Sequence, residues 1–161
     1  MKKLLYLFLV ITIISCGGDD DSSEPQTFLE RYDGIVWKLS VIDDEYGNVL
    51  DLAKKTFSNE TPGFTFYDYD DEGDFDGDYC FDFVFGQSIQ IQGANEMMDV
   101  IVTIHSENED NLTTLTELSS ATEDDEFYTT YTVINNGETL LETTDYNQNT
   151  WVISPNDSPC Y

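Results

Sequence analysis

Apolar and polar residues alternate in short runs along most of this chain. Ile35, Trp37, Leu39 and Val41 alternate with Val36, Lys38, Ser40 and Ile42, the period of a half-buried strand. That run ends at a turn, Asp43 to Asn48. Pro62-Gly63 opens Phe64 to Tyr69, a strand with aromatics on both faces. An acidic loop, Asp70 to Asp78, follows. Tyr79, Phe81, Phe83 and Phe85 then alternate with Cys80, Asp82 and Val84. Gly86-Gln87 turns the chain into Ser88 to Gln92, whose strict alternation implies one wet face, and Gly93-Ala94-Asn95 breaks it. Met98, Val100, Val102 and Ile104 make the next inward face, with Asp99, Thr103 and His105 outward.

Two stretches read less cleanly. Residues 49–57 fit either a short edge strand or one helical turn. In residues 112–118 the leucines at 112, 115 and 118 suggest a helix, but three threonines favour a strand, and strand is the reading adopted. Phe127, Tyr131 and Val133 mark a long strand that ends at Asn135-Asn136-Gly137, a strong hairpin signal. Thr139 to Thr144 returns, Asp145 to Asn149 turns again, and Trp151 to Ile153 is the last strand. Before all of these, Thr27 to Tyr32 predicts one helical turn, with Thr27 as N-cap and Glu30 completing a capping box; its size suits a lid or plug. The prediction is an all-β chain of eight or nine short antiparallel strands joined by tight turns. A meander of this kind avoids exposed edges by closing on itself, so an up-and-down barrel is favoured over a Greek-key β-sandwich.

The N-terminus follows a different pattern. Lys2 and Lys3 precede an apolar run, Leu4 to Ile14, broken only by Tyr6 and Thr12. The run has the form of a secretory signal and is shorter than the roughly 20 residues of a membrane helix. Ile13-Ile14-Ser15-Cys16 resembles the lipobox of bacterial lipoproteins, which implies that Cys16 carries the lipid and becomes the first mature residue. The expected organisation is a signal peptide over 1–15, a lipidated, flexible, acidic tether over 16–26 and one β-barrel domain over 27–161. With Cys16 lipidated, Cys80 and Cys160 remain, and an oxidising compartment favours a disulfide between them over two free thiols. The loop so closed stabilises the fold by roughly 4 kcal/mol on the chain-entropy model.

Charge narrows the partners. Beyond the signal, Arg31, Lys38, Lys54 and Lys55 stand against 33 acids. Such a chain repels nucleic acid. With aromatics at 14% and apolar residues at 40%, it is a folded domain with a solvated acidic shell, not a disordered tail. It is expected to be a monomer whose membrane contact is the lipid on Cys16.

Phe28 to Lys38, with Gly34 and Trp37, is similar to the start of the lipocalin-like small lipoproteins of Bacteroidetes, where a short turn leads into a first strand carrying Gly and Trp. The mid-chain Cys80 and the near-terminal Ser158-Pro159-Cys160 extend the resemblance over residues 28–160. Lipocalins proper have one residue between the Gly and the Trp; here there are two. The resemblance implies a barrel for small apolar ligands and export to the outer membrane. Asp19-Asp20-Asp21 is similar to the signal that sends such lipoproteins to the cell surface.

Few residues suggest chemistry. Asp68, Asp70, Glu72, Gly73, Asp74 and Asp76 stand at positions 1, 3, 5, 6, 7 and 9 of a calcium-loop pattern. Tyr79 occupies position 12, where a bidentate Glu belongs, and no helices flank the loop, so an EF-hand is excluded. A looser Ca2+ loop and a solvated hairpin tip both remain as readings. His105, the only histidine, has Glu107 and Glu109 at spacing two but reads as an exposed side chain. There is no nucleophile elbow, no phosphate-cradling glycine loop and no cysteine pair at metal spacing, and the acids sit mainly in turns, so no enzyme is expected. The inward aromatics Trp37, Phe66, Phe81, Phe83, Phe127, Tyr131 and Trp151 line a pocket or fill the barrel. Two functions follow: a lipid-anchored barrel that binds a small apolar ligand, or an acidic surface protein with a filled core and a calcium-binding Asp-rich loop.

Overall fold

The computed structural model describes residues 25–42, 47, 49–69, 79–92, 96–122, 124–158 and 160. Among them, one short helix, α1 (Phe28–Tyr32), precedes ten strands. These are β1 (Val36–Ile42), β2 (Val49–Ser58), β3 (Gly63–Asp68), β4 (Tyr79–Val84) and β5 (Ser88–Gln92), then β6 (Met97–Glu107), β7 (Asn111–Ser119), β8 (Asp124–Ile134), β9 (Thr139–Thr143) and β10 (Gln148–Ile153). They form one sheet in the order β4-β3-β2-β1-β10-β9-β8-β7-β6-β5. Every strand pairing is antiparallel. The up-and-down barrel expected from the alternation is therefore the fold, closed through β1 and β10. It is nearly but not fully closed. β4 and β5 are consecutive in the chain yet share no backbone ladder, and they are the two edges of the sheet.

The tenth strand is β2, over the stretch that read as an edge strand or helical turn. It is a full internal strand, paired with β1 from Thr56 to Val49 and with β3 from Ala53 to Ser58. Adjacent lysines in its middle obscure the alternation. Lys55 points into the barrel, while Lys54 lies on the outside beneath the rings of Tyr67 and Tyr69, at 5.5 and 5.3 Å. β7 settles the other ambiguity. Leu112, Thr114 and Thr116 alternate as buried positions, and Leu115 is turned to the other face opposite Thr103 and Tyr128. The Asn135-Asn136-Gly137 signal holds as the β8–β9 turn, where all three residues take positive φ (54°, 57° and 92°).

One end of the barrel is packed solid. Thr27 and Glu30 form the expected capping box, which starts α1 in the few residues available. The helix plugs that end with Phe28, Leu29 and Tyr32 against Trp37, Phe57 and Leu112. Phe28 meets Phe57 edge-on at 5.1 Å, and Phe57 meets Tyr131 in the same way at 5.1 Å. The β6–β7 hairpin holds the plug. Glu107 accepts from Leu29 N at 2.8 Å, and Arg31 donates to Glu109 and Asp110 at 2.5 and 3.0 Å.

The C-terminal residues form a strap across the outside of β1 to β4. Ser154 N donates to Val36 O at 2.8 Å, Asp157 lies 3.9 Å from Lys38, and Lys54 donates to Ser158 O at 3.4 Å. The strap ends at the Cys80–Cys160 disulfide, with Cα atoms 5.8 Å apart.

Candidate functional site

Hairpin geometry decides where space is left. α1 fills one end, and the C-terminal ends of β1, β7 and β9 lie at the other. On that side the inward faces line an open-mouthed cavity of about 500 Å³. Its walls are apolar: Leu39, Phe64, Phe66 and Phe83 from one side, Val100, Val102, Leu118 and Phe127 from the other.

Of the seven aromatics predicted to face a pocket, Phe66, Phe83, Phe127, Tyr131 and Trp151 line this cavity. Trp37 does not. It is fully buried in the plugged half, with its ring 6.1 Å from that of Tyr32. Phe81 faces the seam between β4 and β5, where it borders a separate space of about 370 Å³ with Tyr79, Gln90 and Gln92. Asp68 and Ile91 border both spaces.

The cavity floor is polar, and no sequence signal marked the ion pair at its centre. Lys55 of β2 and Glu142 of β9 reach across the interior and form an ion pair, both almost inaccessible to water. Lys55 also donates to the Tyr131 hydroxyl at 3.2 Å. Its ammonium sits 4.7 Å from the centre of the Tyr131 ring, 4.8 Å from Trp151, 5.3 Å from Phe64 and 5.6 Å from Phe66. The second carboxylate oxygen of Glu142 accepts from Trp151 Nε1 at 3.0 Å and Asn149 Nδ2 at 3.3 Å.

Burial pushes the Lys55 ammonium below its ordinary pKa, against the pull of Glu142. Burial also drives the Glu142 carboxyl up, but the Lys55 charge and the donors around it outweigh this and leave it lowered. Burial, then the Glu142 charge, push the Tyr131 phenol well up. As an ion pair beside a neutral phenol, the floor carries no net charge.

The other candidates separate. Asp68 ends β3, exposed, while Asp70, Glu72, Asp74 and Asp76 lie outside the described residues, as does Cys16. Among the described residues no three His, Cys, Asp or Glu side chains gather as metal ligands. His105 is exposed and packs edge-on to Tyr128 at 5.0 Å; Glu107 and Glu109 are engaged with α1 instead. The arrangement can enclose a molecule and offer it an apolar wall and a hydrogen-bonding floor. Comparison of the chain with protein-family models, with curated proteins and with solved structures finds no significant match.

Proposed function

We propose that this chain is an exported, lipid-anchored, lipocalin-like barrel that holds a small, largely apolar molecule in its interior. The observation that carries the reading is the half-filled barrel. Side chains fill the end under α1, while a cavity of about 500 Å³ is left at the opposite end. That volume falls in the range of small-molecule sites, roughly 300–1,000 Å³. Apolar walls with a few convergent polar groups are the usual composition of such sites. The anchor rests on the sequence alone, on Cys16 after its apolar run.

Two measurements test the proposal. Titration with the neutral dye N-phenyl-1-naphthylamine should give saturable, one-to-one uptake with a blue-shifted emission. Val102→Trp, which places a large ring in the cavity wall, should abolish uptake while leaving the far-ultraviolet dichroism unchanged. A folded wild-type protein that takes up no dye refutes the cavity reading. For the anchor, Cys16→Ser should remove the acyl mass and the detergent-phase partitioning; an unchanged intact mass would refute it.

A further inference from the structure

We propose that the cavity selects an uncharged molecule with a hydrogen-bond acceptor, such as a carbonyl, at one end of an apolar body. This deepens the cavity reading and rests on it.

Lys55 has three N–H groups. One goes to Glu142 and one to the Tyr131 hydroxyl. Among the described residues the third has no hydrogen-bond acceptor and lies among the ring faces of Phe64, Phe66 and Trp151. A buried donor without an acceptor is the feature a ligand oxygen would complete. The other polar groups of the floor are already matched, since Glu142 receives Trp151 and Asn149 in addition to Lys55.

Charge then excludes two classes. A carboxylate brought to Lys55 would sit beside Glu142, which already neutralises it, so a buried negative charge would be left uncompensated. Asp68 at the cavity wall and the net charge of −27 over the whole chain oppose an anion further. An ammonium ligand meets the converse problem, because Lys55 already occupies both the ring faces and Glu142. A neutral acceptor carries neither penalty. At about 30 Å³ per non-hydrogen atom, the cavity takes a body of about 17 such atoms.

The test uses the wild-type protein loaded with N-phenyl-1-naphthylamine and a matched twelve-carbon series: 2-dodecanone, dodecanoate, dodecylamine and dodecane. The ketone should displace the dye at a concentration at least tenfold below each of the other three. In Glu142→Gln, which removes the counter-charge, dodecanoate should gain at least tenfold relative to the ketone. Dodecanoate, dodecylamine or dodecane matching or beating the ketone on wild type overturns this inference and leaves the cavity reading standing. Absence of any dye uptake overturns both. If Glu142→Gln does not fold, the wild-type series alone decides.

Discussion

Removing one partner of the Lys55–Glu142 pair should be far more damaging than removing both, and each single loss should depend on pH in its own direction. In Lys55→Met, the Glu142 carboxylate stays buried with Trp151, Asn149 and the Tyr131 hydroxyl to serve it. Its escape is to bind a proton. From an ordinary value of 4.5 up to pH 7, that route caps the charge penalty at about 3 kcal/mol, at 1.36 kcal/mol per unit. In Glu142→Gln, Lys55 escapes by releasing its proton, and from 10.5 down to pH 7 the cap is about 5 kcal/mol. The expected charge losses are therefore up to about 3 kcal/mol for Lys55→Met and up to about 5 kcal/mol for Glu142→Gln, while the double variant loses only about 1 kcal/mol. The assay is urea unfolding followed by the fluorescence of Trp37 and Trp151, both buried in the native state. The pH dependence separates a charge effect from a packing effect. Stranded Glu142 has a raised folded pKa, so lowering the pH from 7 to 5 should shrink the Lys55→Met loss by about 2–3 kcal/mol. Wild-type Glu142 has a lowered pKa, and its contribution persists until the pH falls below the ordinary carboxylate value. Raising the pH from 7 to 9 should instead shrink the Glu142→Gln loss. Single losses below about 1 kcal/mol, or a Lys55→Met loss unchanged between pH 7 and 5, would refute the reasoning.

Three further outcomes follow from other parts of the barrel. Gly63 lies so close to β4 that an added Cβ would stand 2.1 Å from Phe83 O, so Gly63→Ala should cost about 1–3 kcal/mol in urea unfolding. Replacing Cys80 and Cys160 by serine opens a loop spanning 80 residues and should lower stability by about 4 kcal/mol; no change in the urea midpoint would contradict the strap's role. Burial and the hydrogen bond to Asp110 push the Tyr32 phenol up to about 12. Its stabilisation is complete below pH 10 and is lost as pH rises through 12, so the difference between wild type and Tyr32→Phe should shrink over that window.

How much of this was legible in the sequence depends on the range of the interaction. Strict alternation marked β1, β5 and β6, and the Thr27–Glu30 spacing marked α1. β2 was obscured because Lys54 and Lys55 look like surface residues, whereas one is roofed by the C-terminal strap and the other is paired across the barrel. Glu142 was one acid among 33, and its partner lies 87 residues away, three strands around the sheet. No local pattern encodes such a pair. Phe81 and Trp37 had the right periodicity for the pocket, but α1 filled the half containing Trp37 and the seam took Phe81. Periodicity reports which face a side chain joins, not which level of the interior stays empty.

The seam between β4 and β5 gives the barrel an expansion joint. In a fully laddered cylinder, widening the interior breaks hydrogen bonds along a whole strand. Here β4 and β5 are bonded on one side only, so their edges could part while the β3–β4 and β5–β6 ladders stay whole. Cys80 sits on one of those edge strands, and the strap that ends there acts as a hoop on one side of the joint. Amide exchange should be fastest in β4 and β5 at the groups facing away from β3 and β6, and faster again after reduction; protection equal to that of β7 and β8 would show the joint to be rigid.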